Sequence, residues 1–242
     1  MKKILKLSAC IALSIGCVSI TYANSQTLKT TEQRIYQKYA TQDFYQINQK
    51  LEKDVVGLIQ KENASFNYGF PLMTKNLGLN LKYSPDRLVK SYTFDIGGGG
   101  TMGTFSSYVQ FKNASKYQLQ SIEAGFIQSL QQVKLQQKPV YLIQSYYKGD
   151  SCHGMYQIQA FTKQSNKFQP ISVFQTKTKK LDSITVEYNC SYDPEREGNY
   201  IRVSKDMRFV DIRLLDSKSK PTTQYLRYQL TPQAYVYQGT VK

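Results

Sequence analysis

The chain has 242 residues, with 32 Lys and Arg against 17 Asp and Glu, one His, four Cys and no Trp. With 40% hydrophobic and 20% charged residues, it can build a core, which excludes a disordered, collagenous or multi-span membrane chain. The length suits one domain, or one domain with a small helical appendage, and a single His counts against zinc, haem and His-dependent catalytic sites.

The first predicted element is a targeting segment. Met1 to Lys6 is a short basic stretch, Leu7 to Ile20 is apolar and uncharged, and Thr21-Tyr22-Ala23 ends on the small residue that a signal peptidase requires. Residues 1–23 therefore read as a secretory signal peptide. The apolar stretch is short and broken by Ser and Gly, which argues against a membrane-spanning anchor. Ser14-Ile15-Gly16-Cys17 carries a rival reading, lipid anchoring through Cys17, but places Ser where an aliphatic residue is preferred. Cleavage after Ala23 removes three Lys and leaves 29 Lys and Arg against 17 Asp and Glu, a mature charge of +12. The expected destination is the periplasm or the outside of a bacterium.

Residues 24–64 read as a helical segment packed on the domain. Thr30 and Gln33 have the spacing of a capping box, and Phe44, Ile47, Leu51, Val55, Leu58 and Ile59 recur at steps of three and four. Both signs of charge share the polar side, which fits packing on a sheet better than lying on a membrane.

From residue 65 to 242 the expectation is an antiparallel β domain, built as a meander, a sandwich or a partial propeller. The 20 Tyr and 11 Phe favour strands. Turn signals at eight- to twelve-residue spacing separate strands at 87–95, 104–111, 116–122, 139–147, 156–161, 168–175, 183–188, 200–203, 208–213, 224–230 and 235–237. The chain is thus expected to be mainly β with an N-terminal amphipathic helical segment.

Between the first two of these strands stands the run Tyr92-Thr93-Phe94-Asp95-Ile96-Gly97-Gly98-Gly99-Gly100-Thr101-Met102-Gly103. Four successive glycines permit positive φ and close backbone approach. The ordinary reading is a glycine-rich hairpin or bulge, capped by Asp95. The functional reading is a nest of N–H groups that holds an anion, formed by Asp95, Gly97, Gly98, Gly99, Gly100 and Thr101. No Lys follows in the register of a phosphate-binding loop, and no helix follows as in a dinucleotide fold.

Tyr92–Met102 resembles the Y-x-[FW]-D-x-G-x-G-G-T-M motif of uncharacterised secreted bacterial proteins, a likeness that extends loosely over residues 45–237. The resemblance implies a β-rich exported protein and brings no activity with it. Those proteins often carry Trp where Phe94 stands and His where Gly103 stands. The second departure removes the one residue of the motif with catalytic potential.

After processing, two cysteines remain, Cys152 and Cys190, and in an oxidising compartment they are expected to pair. The alternative is a Cys152/His153 dyad. Adjacent strand residues point to opposite faces, which makes that geometry poor. Asp193-Pro194-Glu195-Arg196-Glu197-Gly198-Asn199 is the densest acidic stretch. Pro194 and Arg196 argue for a solvated turn there and against a Ca²⁺ loop.

Basic residues at Lys163, Lys167, Lys177, Lys179, Lys180, Arg202, Lys205, Arg208, Lys218 and Lys220 are interleaved with Tyr and Phe. Export counts against nucleic acid as the partner and favours an acidic protein or an anionic envelope component such as lipid head groups or acidic glycans. The expected function is an exported, non-enzymatic binding or interaction protein, an immunity-type inhibitor or an envelope accessory factor. The alternatives are an envelope hydrolase acting on glycan or lipid near Gly97–Gly100, and an extracellular adhesin or effector. No catalytic residues, no metal and no cofactor are assigned.

Overall fold

A computed structural model describes residues 26–193 and 199–242. The expected signal peptide, Cys17 and residues 194–198 of the acidic stretch lie outside the described residues. Of the described residues, 48% lie in strands and 20% in helices, so the fold is mainly β. The chain divides at Gly78 into a helical unit and a β unit, Leu79–Lys242.

The helical unit contains α1 (26–39), α2 (Phe44–Lys61), a 3-10 turn (Asn63–Phe66) and α3 (Pro71–Asn76). The expected single stretch is two helices. Residue 30 already lies inside α1, so Thr30 is no N-cap. The cap that operates is Asp43, whose carboxylate accepts the Tyr45 N–H at 2.9 Å and starts α2. Ile47, Leu51, Val55, Leu58 and Ile59 are buried on one face of α2, as the periodicity predicts. Asp54 ties the two helices by accepting from Lys38 Nζ at 2.8 Å and from Tyr39 OH at 2.9 Å.

The expected start of the β domain at residue 65 is corrected by α3. Pro71, read in the sequence as punctuation, sits in the first turn of a helix, where its missing N–H costs nothing. Phe70 occupies the cap position with no capping side chain. The fully buried Glu32 of α1 supplies the missing acceptor: its Oε1 takes the N–H groups of Leu72 at 2.9 Å and Met73 at 3.1 Å, and Tyr68 OH donates to Oε2. A carboxylate at that end also complements the helix dipole.

Among the described residues the β unit holds fifteen strands in three sheets. The first is the meander β1 (Asn80–Tyr83), β2 (Val89–Asp95), β3 (Phe105–Asn113) and β4 (Lys116–Ile122). The second contains β5 (Phe126–Leu135), β6 (Lys138–Lys148), β7 (His153–Gln164) and β11 (Ser183–Asn189), with β8 (Lys167–Pro170) sharing the outer edge of β7. The third runs in the order β10, β9, β15, β14, β13, β12, from β9 (Phe174–Gln175), β10 (Lys180–Leu181), β12 (Ile201–Val203), β13 (Phe209–Leu215), β14 (Pro221–Leu230) and β15 (Tyr235–Val241). All pairings are antiparallel except β9 with β15.

The second sheet is apolar on both faces. Val140, Leu142, Ile158, Ala160 and Val186 pack with Phe174, Val210, Ile212 and Tyr228 of the third sheet. Tyr141, Ile143 and Phe161 face the opposite way, towards Val89, Val109 and Phe111 of the first. This explains the unbroken apolar run in β6: both sides of the strand are interior.

Candidate functional site

The glycine-rich run forms the β2–β3 connection, residues 96–104. Asp95 Oδ1 accepts the Gly97 N–H at 2.9 Å, and Ile96 N–H donates to Thr104 O at 2.9 Å. Gly99 and Gly100 adopt φ of 79° and 83°, values that L side chains rarely take. Asp95 and Gly97 are thus engaged by the turn itself, Gly99 is half-buried, and Gly98, Gly100 and Thr101 are exposed at its tip. The loop is anchored to the β6–β7 hairpin through Gly103, whose N–H donates to Lys148 O at 3.3 Å. A Cβ at Gly103 would lie 2.8 Å from Lys148 Cβ, so this position admits no side chain without movement.

The β6–β7 hairpin is a knot of local bonds. Cys152 is disulfide-bonded to Cys190, which follows β11, with Cα atoms 4.8 Å apart. Cys190 N–H also donates to Cys152 O at 2.8 Å. Asp150 accepts from Cys152 N–H at 2.7 Å, from His153 N–H at 2.6 Å and from His153 Nδ1 at 2.9 Å. These bonds, the Cys152 N–H foremost, hold its carboxyl down to about 2. With Nδ1 donating to Asp150, the imidazole Nε2 accepts from Asn189 Nδ2 at 3.1 Å. Both ring nitrogens are therefore occupied. Beside the knot lies a cavity of about 450 Å³ lined by Tyr147, Lys148, His153, Met155, Glu187 and Tyr188. Among the described residues no three His, Cys, Asp or Glu side chains gather as a metal site would need.

Two features escape the sequence reading. Lys90 of β2 is fully buried, with its Nζ 4.6 Å from the centre of the Tyr92 ring and 5.1 Å from that of Tyr83. Burial pushes its ammonium down to about 7. The only trace in the sequence is a Lys sharing one strand face with Tyr92 and Phe94.

The other lies on the face of the third sheet turned away from its core. Ile201, Val203, Val210, Ile212, Leu226 and Tyr228 point inward, so Arg202, Asp211, Arg213, Tyr225 and Arg227 point outward. The Arg202 guanidinium lies 3.3 Å from the centre of the Tyr225 ring, and that of Arg213 lies 4.5 Å from it. Tyr225 is left only 4% exposed beneath them. Arg227 stacks on Phe209 at 4.5 Å and forms a two-pronged pair with Asp211, both contacts 2.8 Å. Arg202 and Arg208 were legible as basic residues. The sandwich was not, because it takes one residue from each of β12, β13 and β14.

No protein-family model, curated protein or solved structure matches this chain. Fold and site define it as a mainly β chain whose loops are stapled by an internal disulfide. Among the described residues no helix is long and apolar enough to cross a membrane.

Proposed function

We propose that the chain is an exported binding or interaction protein of the bacterial envelope, of the kind that serves as an immunity-type inhibitor or an accessory factor. The observation that carries this reading is the knot at the β6–β7 hairpin. The only His in the sequence and both cysteines of the mature chain are committed there to structural bonds. A nucleophilic site needs a thiolate or a base free to take a proton, and these groups hold one another instead. The disulfide suits an oxidising compartment, and the resemblance of Tyr92–Met102 to secreted proteins points the same way. The mature charge of +12 favours an acidic partner.

A hydrolase is the second reading, and the cavity beside His153, with Glu187 on its wall, favours it. Purified residues 24–242 incubated with sacculi and with phospholipid vesicles separate the two. The binding reading expects no product above buffer by mass spectrometry. Multiple turnovers that vanish in His153→Ala, with the melting curve unchanged, contradict it.

A further inference from the structure

The geometry points to the outer face of the third sheet as the docking surface for an acidic protein, with Arg202 and Arg213 as its anchors. This deepens the binding reading above and rests on it.

Charge comes first. Among the described residues the face presents three guanidiniums, of Arg202, Arg213 and Arg227, against one carboxylate, Asp211, each of whose oxygens accepts from Arg227. Among the described residues Arg202 and Arg213 form no ion pair with a carboxylate. Arg213 donates Nη1 to Thr222 O at 2.8 Å, and the Nε groups of both arginines are shielded from water with no acceptor. Among the described residues the two cations are thus held partly desolvated, with Asp211, already bonded to Arg227, as the one carboxylate on their face, an arrangement that an incoming anion relieves.

Preorganisation comes second. Each guanidinium is laid against Tyr225 and cannot sweep space as a surface lysine does. Stacking fixes the plane of the fork, so little rotamer freedom remains to be lost on binding. Arg and Tyr are also the residue types that dominate the energetic centres of protein interfaces.

The third consideration is the identity of the anion. Asp211 already shows on this same face how a carboxylate is received, in plane, by both prongs of a guanidinium. With their Nε groups shielded, Arg202 and Arg213 would receive partner Asp and Glu side chains through their Nη groups, Arg213 through Nη2 because Nη1 already serves Thr222 O. The neighbouring outward positions are Gln229, Gly239 and Gln175, with Val236 and Val241 as the small aliphatic ones, and none of the exposed large hydrophobic residues lies among them. Such a surface provides no apolar wedge for a bilayer.

Poly-L-glutamate serves as the probe of acidic protein surface, and vesicles containing phosphatidylglycerol as the probe of anionic lipid, both titrated against purified residues 24–242. Arg202→Gln with Arg213→Gln is expected to weaken poly-L-glutamate binding by about tenfold or more, as loss of interface anchors does. Lys218→Gln with Lys220→Gln removes the same charge from an exposed turn and is expected to change it less than about twofold, in keeping with rim charges. Arg202→Lys with Arg213→Lys keeps the charge and loses the planar fork. It is expected to bind as weakly as the Gln pair, and it keeps the test decisive if the Gln pair unfolds by circular dichroism. Equal losses in the Gln pair and the Lys218/Lys220 control overturn the proposal, because they mean non-specific charge. Full retention by the Lys pair also overturns it. Vesicle binding that depends on the arginine pair as strongly as poly-L-glutamate binding overturns the choice of protein carboxylates. Failure here, with no turnover in the assay above, leaves the binding reading intact on another surface.

Discussion

Glu32 and Lys90 are two buried charges that their surroundings treat differently. Glu32 receives three donors and substitutes for the missing cap of α3. Removing one partner of such a buried network strands the others. Glu32→Ala is expected to cost about 3 kcal/mol in chemical denaturation and to speed hydrogen exchange at the Leu72 and Met73 amides. Unchanged exchange there would show that α3 does not depend on it. Lys90 has its ammonium depressed to about 7 by burial, against an ordinary value near 10.5. The unfolded chain therefore binds a proton that the folded chain lacks between these values. Its destabilising contribution is fully present below pH 7 and fades as pH rises towards 10.5. Unfolding free energy is expected to rise by about 2 kcal/mol from pH 7 to 9 on this account, and the rise should be absent in Lys90→Met. A flat profile in the native chain would contradict the depressed titration.

Among the elements, the β2–β3 turn separates two roles that neighbouring glycines play. Gly99 has φ of 79°, whereas Gly98 has ordinary φ and open space where a Cβ would go. Gly99→Val is expected to cost about 1–2 kcal/mol and Gly98→Val close to nothing, by the penalty for a side chain in left-handed backbone. Equal effects would mean that the turn geometry is not the reason for the run. The Cys152–Cys190 bond joins neighbouring strands across 38 residues. Its loss in Cys152→Ala is expected to lower stability by roughly 3 kcal/mol in the chain-entropy account, checked by urea melts with and without reductant.

Most strands were legible because turn residues bracket them and alternation marks one buried face. β11 shows this well, with Val186 and Tyr188 buried and Thr185 and Glu187 exposed. β5 was not legible: a register shift between Ile127 and Ser129 puts Ile127 and Leu130 on one face, whereas Val133 and Leu135 face the other core, so the apolar positions fall at helix-like steps although they lie on a strand. The expected strand 168–175 is in fact β8 and β9, which belong to different sheets, and apolar content alone carries no sign of that break. For the candidate site, the disulfide and the capping role of Asp95 follow from local chemistry. The Arg202–Tyr225–Arg213 sandwich follows from the register Arg213↔Tyr225 and Arg202↔Asp211 across three strands, which no single segment encodes.

Taken whole, the β unit gives its two interior cores to the faces of one central sheet and leaves the outer face of the third sheet to charge. If the proposed docking holds, the attraction between this face and an acidic partner is screened by salt over roughly 10 Å at 0.1 M. Binding of poly-L-glutamate is therefore expected to weaken steeply between low and physiological salt, and a salt-independent affinity would argue for an apolar contact elsewhere. The proposed binding role requires export. Non-reducing peptide mapping by mass spectrometry, on protein recovered from the envelope fraction of cells, tests that most directly. The account predicts a mature N-terminus at Asn24 and a linked peptide pair containing Cys152 and Cys190. An intact Met1 with both thiols open to alkylation would contradict it, and a lipid on Cys17 would contradict cleavage after Ala23.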